Sequence, residues 1–366
     1  MKKQLFFLSF ALSTFLPLPS SANSADLDWT KVPVARRVHA YYEIETRVME
    51  AKNRHFWYTL PAELPYQTEI SSPNFSIQPS GIFTDVTFGN RVLYWNHEES
   101  ERFSFRMDWE ATIHNVLTNL DPAKIGAYDP NDKMVQLYTR SERLMHIDAK
   151  VLAIKAELEA ELRGDARPLS VSKAAFRWVL DHMAYASLDD LDRDRGTDEL
   201  LKRAFVHKGL TYYKGDCGEY TLLYNAILRS FGIPARTVTG GWSMGKDQWH
   251  VWSEVFFPGY GWVPVDTSAA DVFVYDEGAE LNALGEKQFG TFPQVTSPDF
   301  YFGNLDPYRF VMSVGNDIPL RPVMDWDFTR EKAGWFYDRG NAGYMQVGVF
   351  HPLSLKDVKI RFENLP

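Results

Sequence analysis

A single cysteine, Cys217, serves all 366 residues of this chain. One thiol cannot close an intramolecular disulfide or build a cysteine-rich zinc site, so the fold rests on its apolar core. Positive charge is also short. Lys and Arg number 39 against 48 Asp and Glu, a net charge of −9, which argues against nucleic acid and anionic membrane surfaces as partners. No apolar run reaches the ~20 residues that a membrane-spanning helix needs, and no repeat or low-complexity tract occurs. His39, His55, His97 and His114 lack metal-ligand spacing. The acidic loop "SLDDLDRDRGTDE" alternates Asp190, Asp192 and Asp194. Counted from Asp190, it has Arg195 and Leu201 where an EF-hand needs glycine and glutamate. No metal or other cofactor is expected.

The N-terminus reads as an export signal. Lys2 and Lys3 precede an apolar run from Leu5 to Leu16, then Pro17 and Pro19, then Ser20 and Ala22, which fit a small-x-small cleavage site. Removing residues 1–22 removes two positive charges and no acids, so the mature charge is −9 − 2 = −11. The expectation is an exported protein, periplasmic or secreted, with no membrane span after cleavage. In that setting a lone thiol is either reactive or buried and inert.

Past the signal, residues 23–135 read as a β-rich domain. Val38, Ala40, Tyr42 and Ile44 alternate, as do Phe103, Phe105, Met107 and Trp109, and "FTDVTFGNRVLYW" reads as a hairpin around Gly89-Asn90. Short strands joined by turn residues suggest a β-sandwich. From Ser141 the period changes: Leu144, Ile147, Val151, Ile154 and Leu158 predict a long amphipathic helix with Ser141 as its N-cap. A second helix is expected from about Ser170. The boundaries expected are 136–290 for an α+β catalytic domain and 291–366 for an aromatic, β-rich C-terminal extension packed on it.

Cys217 stands in "YYKGDCGEYT", ahead of "LLYNAILRSFGIPAR", whose apolar spacing and Gly232/Pro234 stop predict a helix starting at the cysteine. Unpaired N–H groups at a helix start favour a thiolate, the nucleophilic form. Gly215 is read as letting the backbone turn sharply before the helix, and the Asp216 and Glu219 carboxylates are expected to point away from the sulfur. A thiolate nucleophile needs a base held by a third group. In "DQWHVWSEVFFPGYGWVPVDTS" a strand carries His250, "PGYG" makes a turn, and the returning strand ends at Asp266. The hairpin predicts His250 and Asp266 as neighbours, with Asp266 fixing the imidazole tautomer and the other ring nitrogen facing Cys217. Taken singly, a strand histidine is commonly structural and an aspartate before Thr-Ser commonly forms a turn; together with Cys217 they make a more specific pattern.

These stretches carry a resemblance. The G-x-C helix start, "LRSFGIPAR-x-V-x-G", H-x-W-x-E and G-W-x-P-x-D, within residues 210–268, resemble the transglutaminase-like superfamily of papain-like thiol enzymes, and the flanking regions look like those of bacterial exported members. The resemblance implies Cys217 as nucleophile, His250 as general base and acid, and Asp266 as orienting residue. It implies an enzyme that forms a thioester from a peptide or isopeptide amide, with hydrolysis and transfer to an amine both open. The expected partner is a protein or peptide substrate, with room for a further protein partner. The alternative is a catalytically silent transglutaminase-like binding or scaffold module. Animal transglutaminases also use an upstream tryptophan at the oxyanion. The nearest candidate, Trp178, lies on a helix face suited to core packing, which leaves the backbone N–H of Cys217 as the expected donor.

Overall fold

A computed structural model describes residues 34–46, 54–97, 104–186, 195–244, 247–274, 297–323 and 355–366, with short stretches between 337 and 351. Residues 1–22, where an export signal is expected, and most of the acidic loop lie outside the described residues.

Alternating apolar residues build the N-terminal part. Its longer strands are β1 (Ala35–Thr46), β2 (Arg54–Thr59), β3 (Gly81–Thr84), β4 (Arg91–His97) and β5 (Ser104–His114). Val38, Ala40, Tyr42 and Ile44 of β1 stand opposite Ala111, Trp109, Met107 and Phe105 of β5, and all are buried. They share one face because successive strand side chains alternate. Against that face pack Phe56 and Tyr58 from β2 and Leu93 and Trp95 from β4, so two sheets enclose one core, a β-sandwich. The β3–β4 hairpin runs from Gly81 opposite Tyr94 to Thr84 opposite Arg91.

Helices follow: α1 (Lys133–Thr139), α2 (Ala149–Leu162) and α3 (Pro168–His182). The helix expected from Ser141 begins instead at Ala149. Asp148 is its N-cap, accepting from the Lys150 and Val151 N–H groups at 3.0 Å each. The Ser141 hydroxyl accepts from the Ile147 N–H at 3.0 Å within a non-helical loop. Leu144 is buried all the same, so the apolar spacing marked burial and ran past the helix start.

A small sheet comes next: β6 (Met183–Tyr185), β7 (Ala204–His207) and β8 (Leu210–Gly215), with β6 and β8 parallel. Then come α4 (Cys217–Ser230), β9 (Ala235–Trp242), β10 (Gln248–Phe257), β11 (Gly261–Val265) and α5 (Thr267–Val274). Every residue of α4 from Cys217 to Arg229 is buried, as expected of a helix enclosed on all sides. It packs against α2, α3, β9 and β10.

The C-terminal residues divide between the two halves. β12 (Arg309–Val314) pairs with β9, giving an antiparallel sheet in the order β11-β10-β9-β12. β13 (Val349–His351) pairs with β2, and β14 (Leu355–Asn364) pairs with β1. Pairings this distant in sequence leave no local signature. Two side-chain amides then join the sandwich to β12. Gln67 exchanges hydrogen bonds with the Val311 N–H and C=O at 2.7 Å each, and Asn90 does the same with Val314 at 2.9 Å each. Together with the Ala62 N–H, which also donates to the Val311 C=O at 3.1 Å, they satisfy backbone groups on the open side of an edge strand.

Candidate active site

Cys217 is the first residue of α4, and Asp216 is the N-cap. The Asp216 carboxylate accepts from the Gly218 N–H at 3.0 Å, and Glu219 reaches back to the Asp216 N–H at 3.4 Å, completing a capping box. Neither carboxylate is left alone. Arg195 lies 2.8 Å from Asp216 and 3.3 Å from Glu219, and Arg203 also pairs with Glu219. Gly215 is needed for close approach rather than for a turn: a Cβ there would sit 2.9 Å from both the Glu219 Cβ and the Met183 Cε.

The cysteine itself is 6% exposed. Helix position alone predicted a depressed thiol pKa. In the fold, burial and the neighbouring Asp216 carboxylate push the Cys217 thiol up, while the Val251 N–H pulls the other way. Burial is the element that the sequence did not reveal. The Val251 contact is informative, because Val251 follows His250 on β10. One turn further along α4, the Thr221 hydroxyl donates to the Val251 C=O at 3.2 Å. The start of α4 is therefore seated on the His250 end of β10. The Tyr185 hydroxyl also hydrogen-bonds Cys217.

His250 and Asp266 meet. His250 Nε2 is 2.7 Å from Asp266 Oδ2, and both side chains are buried. The ladder between β10 and β11 ends at Ser253 opposite Val265, so Asp266 lies just past the strand and the imidazole reaches it diagonally rather than squarely. Asp266 is held as a carboxylate well below the usual range, against its burial, by His250 and Arg309. A carboxylate only accepts, so Nε2 carries the proton and donates. Nδ1 is then the lone-pair nitrogen of the neutral ring, and among the described residues it has no hydrogen-bond partner. The other Asp266 oxygen accepts from the Ser268 hydroxyl at 3.0 Å and the Ala269 N–H at 2.9 Å.

Burial pulls the His250 pKa down, and the Asp266 carboxylate only partly opposes it. A histidine kept neutral by folding binds its proton more readily when unfolded. It contributes stability above its unfolded value of about 6.5, and that contribution is lost as pH falls from there through the folded value. The urea midpoint is therefore expected to drop between pH 7 and pH 5, and His250→Gln is expected to flatten that limb. An equally steep limb in the variant would assign the acid sensitivity elsewhere.

Sequence reading missed Arg309 and Asp306, both fully or nearly buried. Arg309 Nη1 pairs with Asp266 Oδ2, and its Nε lies 2.9 Å from Asp306 Oδ2. Their only sequence signal is the acid-base spacing in "LDPYR", inside a tail notable mainly for aromatics. Trp178 is set apart: it is buried in the helical core, stacks on His182 at 4.2 Å between ring centroids and donates to Glu157 at 3.2 Å. No group of three or more potential metal ligands occurs among the described residues.

A buried helix that starts at a cysteine, seated on an antiparallel sheet bearing a His–Asp pair, defines the papain-like α+β class. Residues 156–267 match the transglutaminase-like superfamily. The chain is 22% identical over 299 residues to an uncharacterized protein of Haemophilus influenzae, covering 73% of this chain and 75% of that one. Among solved structures, a candidate cysteine protease from Cytophaga hutchinsonii aligns with a TM-score of 0.54 at 13% identity, over 92% of this chain and 93% of that one. That likeness establishes the fold across nearly the whole length. The periplasmic domain of TgpA from Pseudomonas aeruginosa aligns at a TM-score of 0.32 and 16% identity, over 73% of this chain and 96% of that one. Among the described residues no helix is long and apolar enough to cross a membrane.

Proposed function

We propose that this protein is an exported cysteine acyltransferase or peptidase, with Cys217 as nucleophile, His250 as general base and acid, and Asp266 as orienting residue. The observation that carries the reading is the tautomer of His250: Nε2–H is committed to Asp266, and Nδ1 is unpartnered at the end of β10 against which Cys217 sits. As the sulfur attacks an amide carbonyl carbon, Nδ1 takes the thiol proton. The oxyanion forms at the start of α4, where first-turn N–H groups lack intrahelical partners, and the Cys217 N–H receives it. Collapse breaks the C–N bond, the imidazolium protonates the departing amine, and a thioester remains. Water or an amine then attacks the thioester, His250 takes a proton from that nucleophile, and the returning proton restores the thiol. The products are a carboxylic acid or a new amide. The leader-like residues 1–22 support export.

Burial of Cys217 favours a second reading, a catalytically silent binding module whose thiol is inert. Both readings meet in one experiment. The mature protein is incubated with peptide amides, with and without a primary amine, and intact mass is followed together with iodoacetamide labelling across pH. The enzyme reading expects an acyl adduct on Cys217, absent in Cys217→Ala. It also expects iodoacetamide labelling of Cys217 that weakens in His250→Ala, where the base that takes the thiol proton is gone. A thiol that never labels in the folded protein and never carries an acyl group sinks the enzyme reading. The amine arm separates hydrolysis from transfer.

A further inference from the structure

The carboxylate that orients His250 does not belong to His250 alone. Asp266 Oδ2 receives both the imidazole Nε2–H, at 2.7 Å, and Arg309 Nη1. Its Oδ1 is taken up by Ser268 and Ala269. Arg309 is locked in turn. Its Nε donates to Asp306 Oδ2 at 2.9 Å, and Asp306 Oδ1 accepts from Trp242 Nε1 at 3.1 Å and from the Tyr308 N–H at 3.0 Å. The guanidinium lies 4.0 Å over the Trp242 ring, whose centroid is 4.7 Å from that of His250. Cation, indole and imidazole thus form one buried cluster, with the indole and imidazole rings tilted by 40°, and two carboxylates bonded into it.

We propose that Arg309, held by Asp306, is a positioning residue that keeps His250 neutral at rest by sharing its carboxylate. The proposal rests on the cysteine-enzyme reading for its catalytic meaning but not for its electrostatics. In a two-membered His–Asp pair, a nearby carboxylate favours the imidazolium. Here the same oxygen already answers a guanidinium, so its pull on a protonated ring is reduced. The charged groups that bear on His250 from the elements packed on it are Asp266 after β11, Arg309 on β12 and Asp306 ahead of it, with Trp242 and Trp252 as uncharged neighbours; Cys217 at the start of α4 meets the next residue of the strand, Val251. Arg309 is the one cation in that set. The resting site is then a thiol beside a neutral imidazole rather than a preformed ion pair, and charge separates only when a carbonyl arrives.

The test is a pH titration of the His250 ring by nitrogen-15 NMR of histidine-labelled protein, assigned with His250→Gln. Arg309→Gln is expected to raise the His250 pKa by about one unit or more, the usual scale for losing a charge at this range. Arg309→Lys keeps the charge and is expected to restore the wild-type value, which a merely structural role for the guanidinium would not predict. Should Arg309→Gln fail to fold, the double variant Arg309→Gln/Asp306→Asn leaves no unmatched charge, and a smaller rise is expected, because Arg309 touches Asp266 directly while the more distant Asp306 carboxylate, which favours the imidazolium, is lost with it. A His250 pKa unchanged in whichever of these variants folds overturns the proposal. The acyl-adduct assay on the wild-type protein is independent of this readout, so a silent Cys217 and an uncoupled Arg309 are distinguishable failures.

Discussion

Asp266→Asn is expected to lower turnover of an amide substrate by about 10⁴-fold, the scale seen when an orienting aspartate is neutralised and the imidazole takes the wrong tautomer. An asparagine can offer an N–H to His250 as readily as a C=O. When it does, Nε2 must become the acceptor and the proton moves to Nδ1, where it cannot receive the one on Cys217. The same substitution removes the counter-charge that Arg309 shares with His250. Breaking a buried ion pair from one side costs about 3 kcal/mol or more, and Asp306, still 2.9 Å from Arg309, holds this case to the lower end. His250→Ala is expected to match the loss in turnover with a smaller loss in stability, because it leaves the Asp266–Arg309 pair intact. The double variant is expected to fall no further in turnover than the worse single one, since residues acting as a unit are not additive. Values of kcat/KM, read beside urea unfolding, check all three. Wild-type turnover in a folded Asp266→Asn protein would remove Asp266 from the chemistry.

Much of this site could be read locally. A cysteine at a helix start, a histidine on a strand and an aspartate beyond a tight hairpin lie within 50 residues, since 266 − 217 = 49. Each is placed by a pattern that short-range physics imposes: apolar spacing in α4, alternation in β10, the turn at "PGYG". The sandwich was legible for the same reason, because Tyr42 and Met107 declare their face by period two and meet only afterwards. What failed was of two kinds. Leu144 and Ile147 continued a helical spacing into a loop, since apolar periodicity marks what is buried and not which backbone buries it. Arg309 and the closing strands failed for a different reason. Arg309 is 43 residues from Asp266, and β14 pairs with a strand more than 300 residues away. Nothing in "LDPYRF" or "LKDVKIRFEN" names its partner. The charge of the site was thus half hidden: the acids were visible near the cysteine, and the arginines that neutralise them arrive by tertiary contact.

Gly240→Ala is expected to destabilise the protein by about 3 kcal/mol or more, the upper range for inserting atoms into a packed interior. The reason is backbone against backbone. A Cβ on Gly240 would sit 1.7 Å from the Phe310 carbonyl oxygen and 2.8 Å from its carbon, where no rotamer change can make room. The β9–β12 ladder shifts register between Thr239 and Gly240, and Gly240 faces His250 on one side and Val311 on the other. Relief therefore requires β12 to move off β9, and β12 begins at Arg309. The variant should lose its urea midpoint and, in whatever fraction remains folded, the hold of Arg309 on Asp266, seen as a raised His250 pKa. Gly241→Ala is the control. Its Cβ would meet the Phe362 ring at 2.4 Å, but that ring is the far end of a side chain on β14 and has freedom to swing. A smaller loss and an unchanged His250 are expected there. If Gly240→Ala is as stable as the wild type, β12 is not fixed against the sheet in the way that Arg309 needs, and its place beside the His250–Asp266 pair would have to be explained otherwise.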